Sequence, residues 1–217
     1  VVHLHLADAT PAHRAAVADM DSALAALVPG LRLSLSDAKA AFRETAHYTC
    51  LRFLALPAVL ARYRCPAVAM DIDALAVPGF FAALAGLAGQ DLGLRAYTFD
   101  AGWRQVGGEP WSIGAHPTYV ADSPLGRRFA AFLVRYIDAA YDPALPTNWT
   151  IDQCAIAQAY DLLVRGDAAA RVANLAHAAP LTLLPDAFGG KQAMLEADGL
   201  VTPENFRVRL EAAVGSG

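Results

Sequence analysis

The segment Pro66-Ala67-Val68-Ala69-Met70-Asp71-Ile72-Asp73-Ala74-Leu75 constrains this chain more than any other. A short apolar run ends in two carboxylates one residue apart, between Pro66 and Pro78. Such a run, bounded by turn-forming prolines, reads as a buried strand of an α/β sheet. Ligands of open α/β sheets gather at the carboxyl ends of strands, where these two acids fall. Asp71 and Asp73 are therefore candidate joint ligands of a hard divalent cation, because Mg²⁺ and Mn²⁺ prefer carboxylate and phosphate oxygen. A cation held there would in turn hold a diphosphate. The plainer alternative is a solvated strand end, since carboxylates are ordinarily surface groups.

With 217 residues, 56% of them hydrophobic, the chain has material for one sizeable α/β domain with a proper core. Charged residues make up 18% and the formal net charge is -4. That balance argues against a nucleic-acid reader, whose binding face is basic. Cys50, Cys65 and Cys154 are scattered and lack CxxC spacing, so a reduced, cytoplasmic setting is expected, with the thiols as small core residues. The opening Val1 to Leu6 alternates like a strand and has no basic region of the signal-peptide kind. Ala74 to Gly89 carries no charge, but Pro78 and several glycines interrupt it. It falls short of the ~18–20 apolar residues of a membrane-spanning helix. The start at Val1 rather than Met reads as an excised domain or a processed terminus.

Along the chain, Thr10-Pro11 opens a helix that stops at Pro29-Gly30. Leu31 to Leu35 alternates as a half-buried strand, and Ser36 or Asp37 is a candidate cap for the helix carrying Phe42, Tyr48, Leu51 and Phe53. A second helix covers Ala58 to Tyr63, and another follows the acidic strand from Phe80 to Leu87. Strands are expected over Arg95 to Phe99 and Ile113 to Val120. Asp122 or Ser123 then caps an amphipathic helix bearing Phe129, Phe132, Leu133 and Ile137. Later come a helix from Thr150 to about Leu163, a helix or helical turn over Ala168 to Ala178, a strand at Leu181 to Pro185, and a helix from Pro203 to about Val214. No repeat or low-complexity linker is present, and one domain over residues 1–217 fits best.

Two further constellations accompany the acidic pair. Arg52 lies within the otherwise apolar Tyr48-Thr49-Cys50-Leu51-Arg52-Phe53-Leu54-Ala55-Leu56-Pro57. It reads either as a surface arginine with a buried stem or as a guanidinium aimed at a phosphate or sugar hydroxyl. In Asn148-Trp149-Thr150-Ile151-Asp152-Gln153, Thr150 can cap the helix and Asp152 suits the positive end of its dipole. The adjacent Gln153 and the preceding Trp149, an apolar platform for a sugar ring, go beyond what a helix start requires.

Taken in order, these segments resemble the nucleotide-sugar glycosyltransferases of GT-A fold, in the glycogenin-like and lipopolysaccharide-galactosyltransferase-like branch. In that family an arginine-bearing helix precedes an apolar strand ending in DxD, then come Trp-x-x-Asp-Gln and a strand ending in Leu-Pro. Arg52, Asp71-Ile72-Asp73, Trp149-Thr150-Ile151-Asp152-Gln153 and Leu183-Leu184-Pro185 stand in those places, spanning roughly residues 31 to 185. The resemblance implies a single Rossmann-like GT-A domain with a mixed, mostly parallel sheet flanked by helices. It also implies transfer of a hexose from a nucleotide-sugar donor, a UDP-hexose, to a sugar or glycan acceptor. Asp71 and Asp73 would ligate Mn²⁺ or Mg²⁺ on the donor diphosphate, Arg52 would contact donor sugar or phosphate, and Asp152 and Gln153 would border the anomeric carbon and the acceptor. The family's first strand and glycine-bearing loop would precede Val1. Its Asn-Ala-Gly stretch has Ser112-Ile113-Gly114-Ala115-His116 as nearest counterpart. Its late histidine- and lysine-bearing motif is missing, with Phe188-Gly189-Gly190-Lys191 as nearest remnant. Lys191 reads either as a surface lysine or as a candidate donor-phosphate contact, and His116 and His177 are candidate replacements for the absent metal ligand.

Two other functions stay open on the sequence. One keeps the fold without catalysis, as a glycan- or partner-binding domain of a larger protein. The other is a haloacid-dehalogenase-type phosphatase with Asp71 as nucleophile. Against the latter, Asp73 is followed by Ala74-Leu75 and Arg165-Gly166-Asp167 lacks a second acid.

Overall fold

The computed structural model describes residues 1–42, 45–71, 74–76, 79–108, 113–145, 150–178 and 182–183. Where the sequence suggests a single domain, the chain divides into two compact units: Val1–Lys39 with Leu184–Gly217, and Ala40–Leu183. The expected helix from Pro203 lies outside the described residues.

In the first unit, strands β1 (Val2–Ala7) and β2 (Leu33–Ala38) pair in parallel through helix α1 (Pro11–Leu27). The α1 start follows its sequence signals. Pro11 occupies the first turn, Thr10 Oγ1 accepts the His13 backbone N–H at 3.2 Å, and His13 Nδ1 accepts the Thr10 N–H at 3.3 Å. At the other end the chain turns at Gly30, whose φ of 87° suits a residue without a Cβ. Ser36 and Asp37 cap no helix, contrary to expectation. They are β2 residues in register with His5 and Leu6.

The second unit is built on a mixed four-stranded sheet of β3 (Ala67–Ala69), β5 (Leu92–Ala96), β6 (Ile113–Val120) and β7 (Val172–Asn174), in the order β3-β6-β5-β7. β6 is antiparallel to both of its neighbours, whereas β5 and β7 are parallel. Hence β3, β5 and β7 share one direction and β6 alone runs against them. A small antiparallel pair joins β4 (Leu75–Ala76) to β8 (Thr182–Leu183). The strand expected over Arg95 to Phe99 is displaced to Leu92–Ala96, and the segment after Ala168 contributes β7 rather than a second helix.

Helices α2 (Thr45–Leu54), α3 (Leu56–Tyr63), α5 (Pro124–Ala140) and α6 (Ile151–Leu163) supply most of one core, while α4 (Phe80–Ala85) belongs to another. The larger core joins Phe53, Leu60, Phe129, Leu133, Ile137 and Ile156 to Leu92, Leu94, Ile113 and Val120 of the sheet. Alternation along β5 and β6 explains the division, because successive side chains leave a strand on opposite faces. Tyr119 and Leu175 fill the smaller core, packed by Phe80 and Leu84. Gly93 lies beneath them, where a Cβ would stand 3.0 Å from that of Tyr119. Ser123 caps α5 through its Oγ, accepting the Gly126 N–H at 3.1 Å, as the sequence predicts. The four-residue spacing of Leu125, Phe129, Leu133 and Ile137 turns one stripe of α5 onto the sheet. Full burial of a phenylalanine such as Phe129 is worth roughly 1.5–3 kcal/mol. Among the described residues no helix is long and apolar enough to cross a membrane.

Candidate functional site

Arg52, Asp71 and Asp152 meet just beyond the carboxyl end of β3. Arg52 comes from the last turn of α2, whose Cys50, Leu51 and Phe53 are buried, and Asp152 from the first turn of α6. One guanidinium nitrogen, Nη1, donates to Asp71 Oδ1, and Nη2 donates to Asp152 Oδ2 at 2.9 Å. The Arg52 side chain is 15% exposed and that of Asp152 6%, whereas Asp71 keeps 32%. The surface-arginine reading of Arg52 is therefore replaced by a guanidinium clamped between two carboxylates. Its Cζ lies 4.8 Å from the Phe53 ring centroid, so an aromatic face also meets the charge. Arg52 Nε is buried and has no hydrogen-bond partner among the described residues.

Burial pushes the Asp152 carboxyl above the usual carboxylate range, because desolvation penalises its charged form. The Arg52 charge pulls the other way and does not fully offset that effect. Asp152 Oδ1 accepts the Gln153 backbone N–H at 2.7 Å. Asp152 thus does more than neutralise a helix terminus. Nearby, burial and the charge of Asp152 push the Cys50 thiol up to about 12. Its Sγ donates to the Ala46 carbonyl at 3.2 Å, so Cys50 is a packed, buried thiol. Cys50, Cys65 and Cys154 are all free.

The β3–β6 register explains the fourth member of the site. Ala67 faces Val120 and Ala69 faces Thr118, and continuing the series sets Asp71 opposite His116. The Asp71 N–H donates to His116 Nδ1 at 2.9 Å, and the same nitrogen lies 3.8 Å from Asp71 Oδ2. An accepting Nδ1 leaves the proton of a neutral ring on Nε2, so His116 anchors the strand end through Nδ1. His177 is engaged elsewhere, its Nε2 donating to the Phe99 carbonyl at 2.7 Å. Of the two candidate replacement ligands, His116 thus lies beside Asp71 and His177 is engaged at Phe99.

Asp73, Trp149 and Lys191 lie outside the described residues, and of Gln153 the backbone alone enters the network. No three His, Cys, Asp or Glu side chains gather into a metal cage among the described residues. A hard cation at Asp71 would therefore need Asp73 and ligand oxygens to complete its shell. With both carboxylates ionised, Arg52, Asp71 and Asp152 carry one net negative charge, and its exposed part is Asp71. Such a site favours a cation, or a group presenting one. An isolated diphosphate would meet repulsion there. The Phe53 ring at Arg52 and the Asp71–His116 contact escape sequence reading: Phe53 adjoins Arg52 in the chain, whereas the β3–β6 register that brings His116 to Asp71 has no local signal. No family model, curated protein or solved structure matches this chain.

Proposed function

We propose that the chain is a glycosyltransferase of GT-A fold, a hexosyltransferase that moves a hexose from a nucleotide-sugar donor, with UDP-hexose as the reference, to a sugar or glycan acceptor. One observation carries the reading. Arg52, Asp71 and Asp152 come from three distant segments, and they form one ion-paired network at a strand end. Those are positions at which the resemblance places a donor contact (Arg52), a metal ligand (Asp71) and a residue bordering the anomeric carbon and acceptor (Asp152). In this reading the α/β fold is of Rossmann type and the protein works in the cytoplasm.

Asp71 and Asp73 would hold Mn²⁺ or Mg²⁺, and the ion would neutralise the diphosphate as it leaves. The remaining work belongs to the chain. Arg52 holds one oxygen of Asp71, and the other, Oδ2, is the one that would reach the ion. Asp152, held by the same guanidinium, presents a carboxylate in a dry setting beside the anomeric carbon, where it can steady oxocarbenium character. Gln153 would orient the acceptor hydroxyl, and Lys191 would contact the donor phosphate.

Donor hydrolysis and transfer, measured with UDP-hexoses and Mn²⁺, test the assignment. Turnover should fall by at least ~100-fold in Asp73→Ala and Asp152→Asn, the scale of losing one electrostatic contact to the transition state. Titration with UDP should show binding in Mn²⁺ and little in EDTA. Absence of turnover, together with UDP binding indifferent to Mn²⁺, would overturn the proposal. Glycan binding without turnover would instead establish the non-catalytic alternative.

A further inference from the structure

We propose that His3 and His5 form a two-imidazole site for a late first-row divalent transition metal, with Zn²⁺ as the reference ion. The site belongs to the unit that contains residues 1–39 and does not depend on the transferase reading.

His3 and His5 are two residues apart on β1, so their side chains leave the same face of the strand. The parallel register sets Ser34 beside His3 and Ser36 beside His5. Helix α1 packs on the other face, where Arg14 donates to both oxygens of Asp37 at 2.9 and 2.6 Å. On the histidine face, His3 Nε2 and His5 Nδ1 each lie 2.7 Å from a single atom, Ser36 Oγ. Two imidazole nitrogens therefore aim at one point, currently occupied by a hydroxyl.

A hydroxyl between two rings has one proton, so it donates to one nitrogen and accepts from the other. Rotation about the Cα–Cβ bond of Ser36 removes the oxygen and leaves both nitrogens directed at the vacated point. Zinc–nitrogen bonds of ~2.0–2.1 Å then require each ring to close by roughly 0.6 Å. The supporting contact is already present: His3 Nδ1 lies 3.1 Å from Ser34 Oγ. When that N–H donates to Ser34, the lone pair falls on Nε2 and faces the metal, which is how ligating histidines are held. Water, or the displaced Ser36 hydroxyl, completes a tetrahedral shell. Imidazole suits Zn²⁺, Cu²⁺ and Ni²⁺, whereas Mg²⁺ and Mn²⁺ prefer oxygen. This chemistry is distinct from that at Asp71.

The test is calorimetric titration of the full chain, freed of metal with EDTA, with Zn²⁺ and in parallel with Mg²⁺. Expected is one equivalent of Zn²⁺ lost in His3→Ala and in His5→Ala, with no competition by Mg²⁺. Ser34→Ala should bind about tenfold more weakly, the scale of losing an orienting partner. His13→Ala should leave the site intact. On the unaltered chain, Zn²⁺ should shift the ring-nitrogen resonances of His3 and His5, which keeps the test valid if a variant fails to fold. Zinc binding that survives the His3→Ala, His5→Ala double variant would overturn the proposal. So would resonance shifts confined to other histidines, or no binding at all.

Discussion

Arg14–Asp37 and Arg52–Asp152 are built from the same two functional groups, yet they differ in almost every consequence. Arg14 and Asp37 hold each other through two hydrogen bonds with 48% and 34% of their side chains exposed. Arg52 and Asp152 are 15% and 6% exposed, and Arg52 gives its second nitrogen to Asp71. Water competes for the first pair and screens it, so its geometry contributes little to stability. At the second, water is largely gone, and each charge depends on its partner for solvation. Ion-pair geometry alone therefore does not mark a site. What separates the two is desolvation and the convergence of distant segments.

The pair at Arg171–Asp91 lies between these extremes, with Asp91 10% and Arg171 63% exposed. Burial by itself would raise the Asp91 carboxyl. Hydrogen bonds from Ser123 and from the Arg171 backbone and guanidinium outweigh it and hold the group below the usual range. Asp152 goes the other way. A lowered folded-state pKa contributes stability that is present above the unfolded value and is lost as pH falls through the folded one. A raised one contributes stability below the unfolded value that is lost as pH rises through the folded one.

The largest expected effect is at the buried pair. Arg52→Ala should lower the unfolding free energy by about 3–5 kcal/mol in urea titration, because it strands Asp152. The paired replacement Arg52→Met with Asp152→Leu should recover most of that loss while abolishing any transferase activity. If the double variant is as unstable as the single one, the contrast with the exposed pair rests on packing and not on stranded charge. Next in size, Asp91→Asn should lower the urea midpoint at pH 7, and its deficit should shrink as pH falls below about 3.8, the ordinary aspartate value. A deficit that is constant with pH would remove Asp91 from the series. Thiol labelling in the native state should modify Cys65 quickly and Cys50 only on unfolding, since the first is exposed and the second buried. Rapid loss of the Cys50 thiol would show that the floor of the Arg52 site is open. Smallest of all, Arg14→Ala should leave the unfolding midpoint unchanged within error. A clear drop there would erase the distinction between the two pairs.

Local chemistry made much of the fold legible beforehand. Thr10-Pro11 and Ser123-Pro124 start their helices, and Ile113–Val120 is a strand over the whole expected range. Ser36-Asp37 misleads because residues that cap helices also serve at strand ends; at that point the register with β1 prevails. The segment after Ala168 reads as helical from its alanines. Its placement is decided by Asn174, which donates to the Ala96 and Phe99 carbonyls and pins β7 along β5. Arg52, Asp71 and Asp152 were nominated together by resemblance, while their mutual pairing was invisible to spacing.

Residue order alone specified an α/β chain with an acidic strand end, an arginine-bearing helix and an Asp-Gln helix start, because propensity, capping and hydrophobic period act over a few neighbours. Which charges lose their water, and which partner each then takes, followed from the packing of α2 and α6 around the end of β3. The same holds for His3 and His5, whose convergence on Ser36 comes from a strand pairing about thirty positions away along the chain. Desolvation and long-range register are properties of the folded assembly, and no short window of sequence contains them.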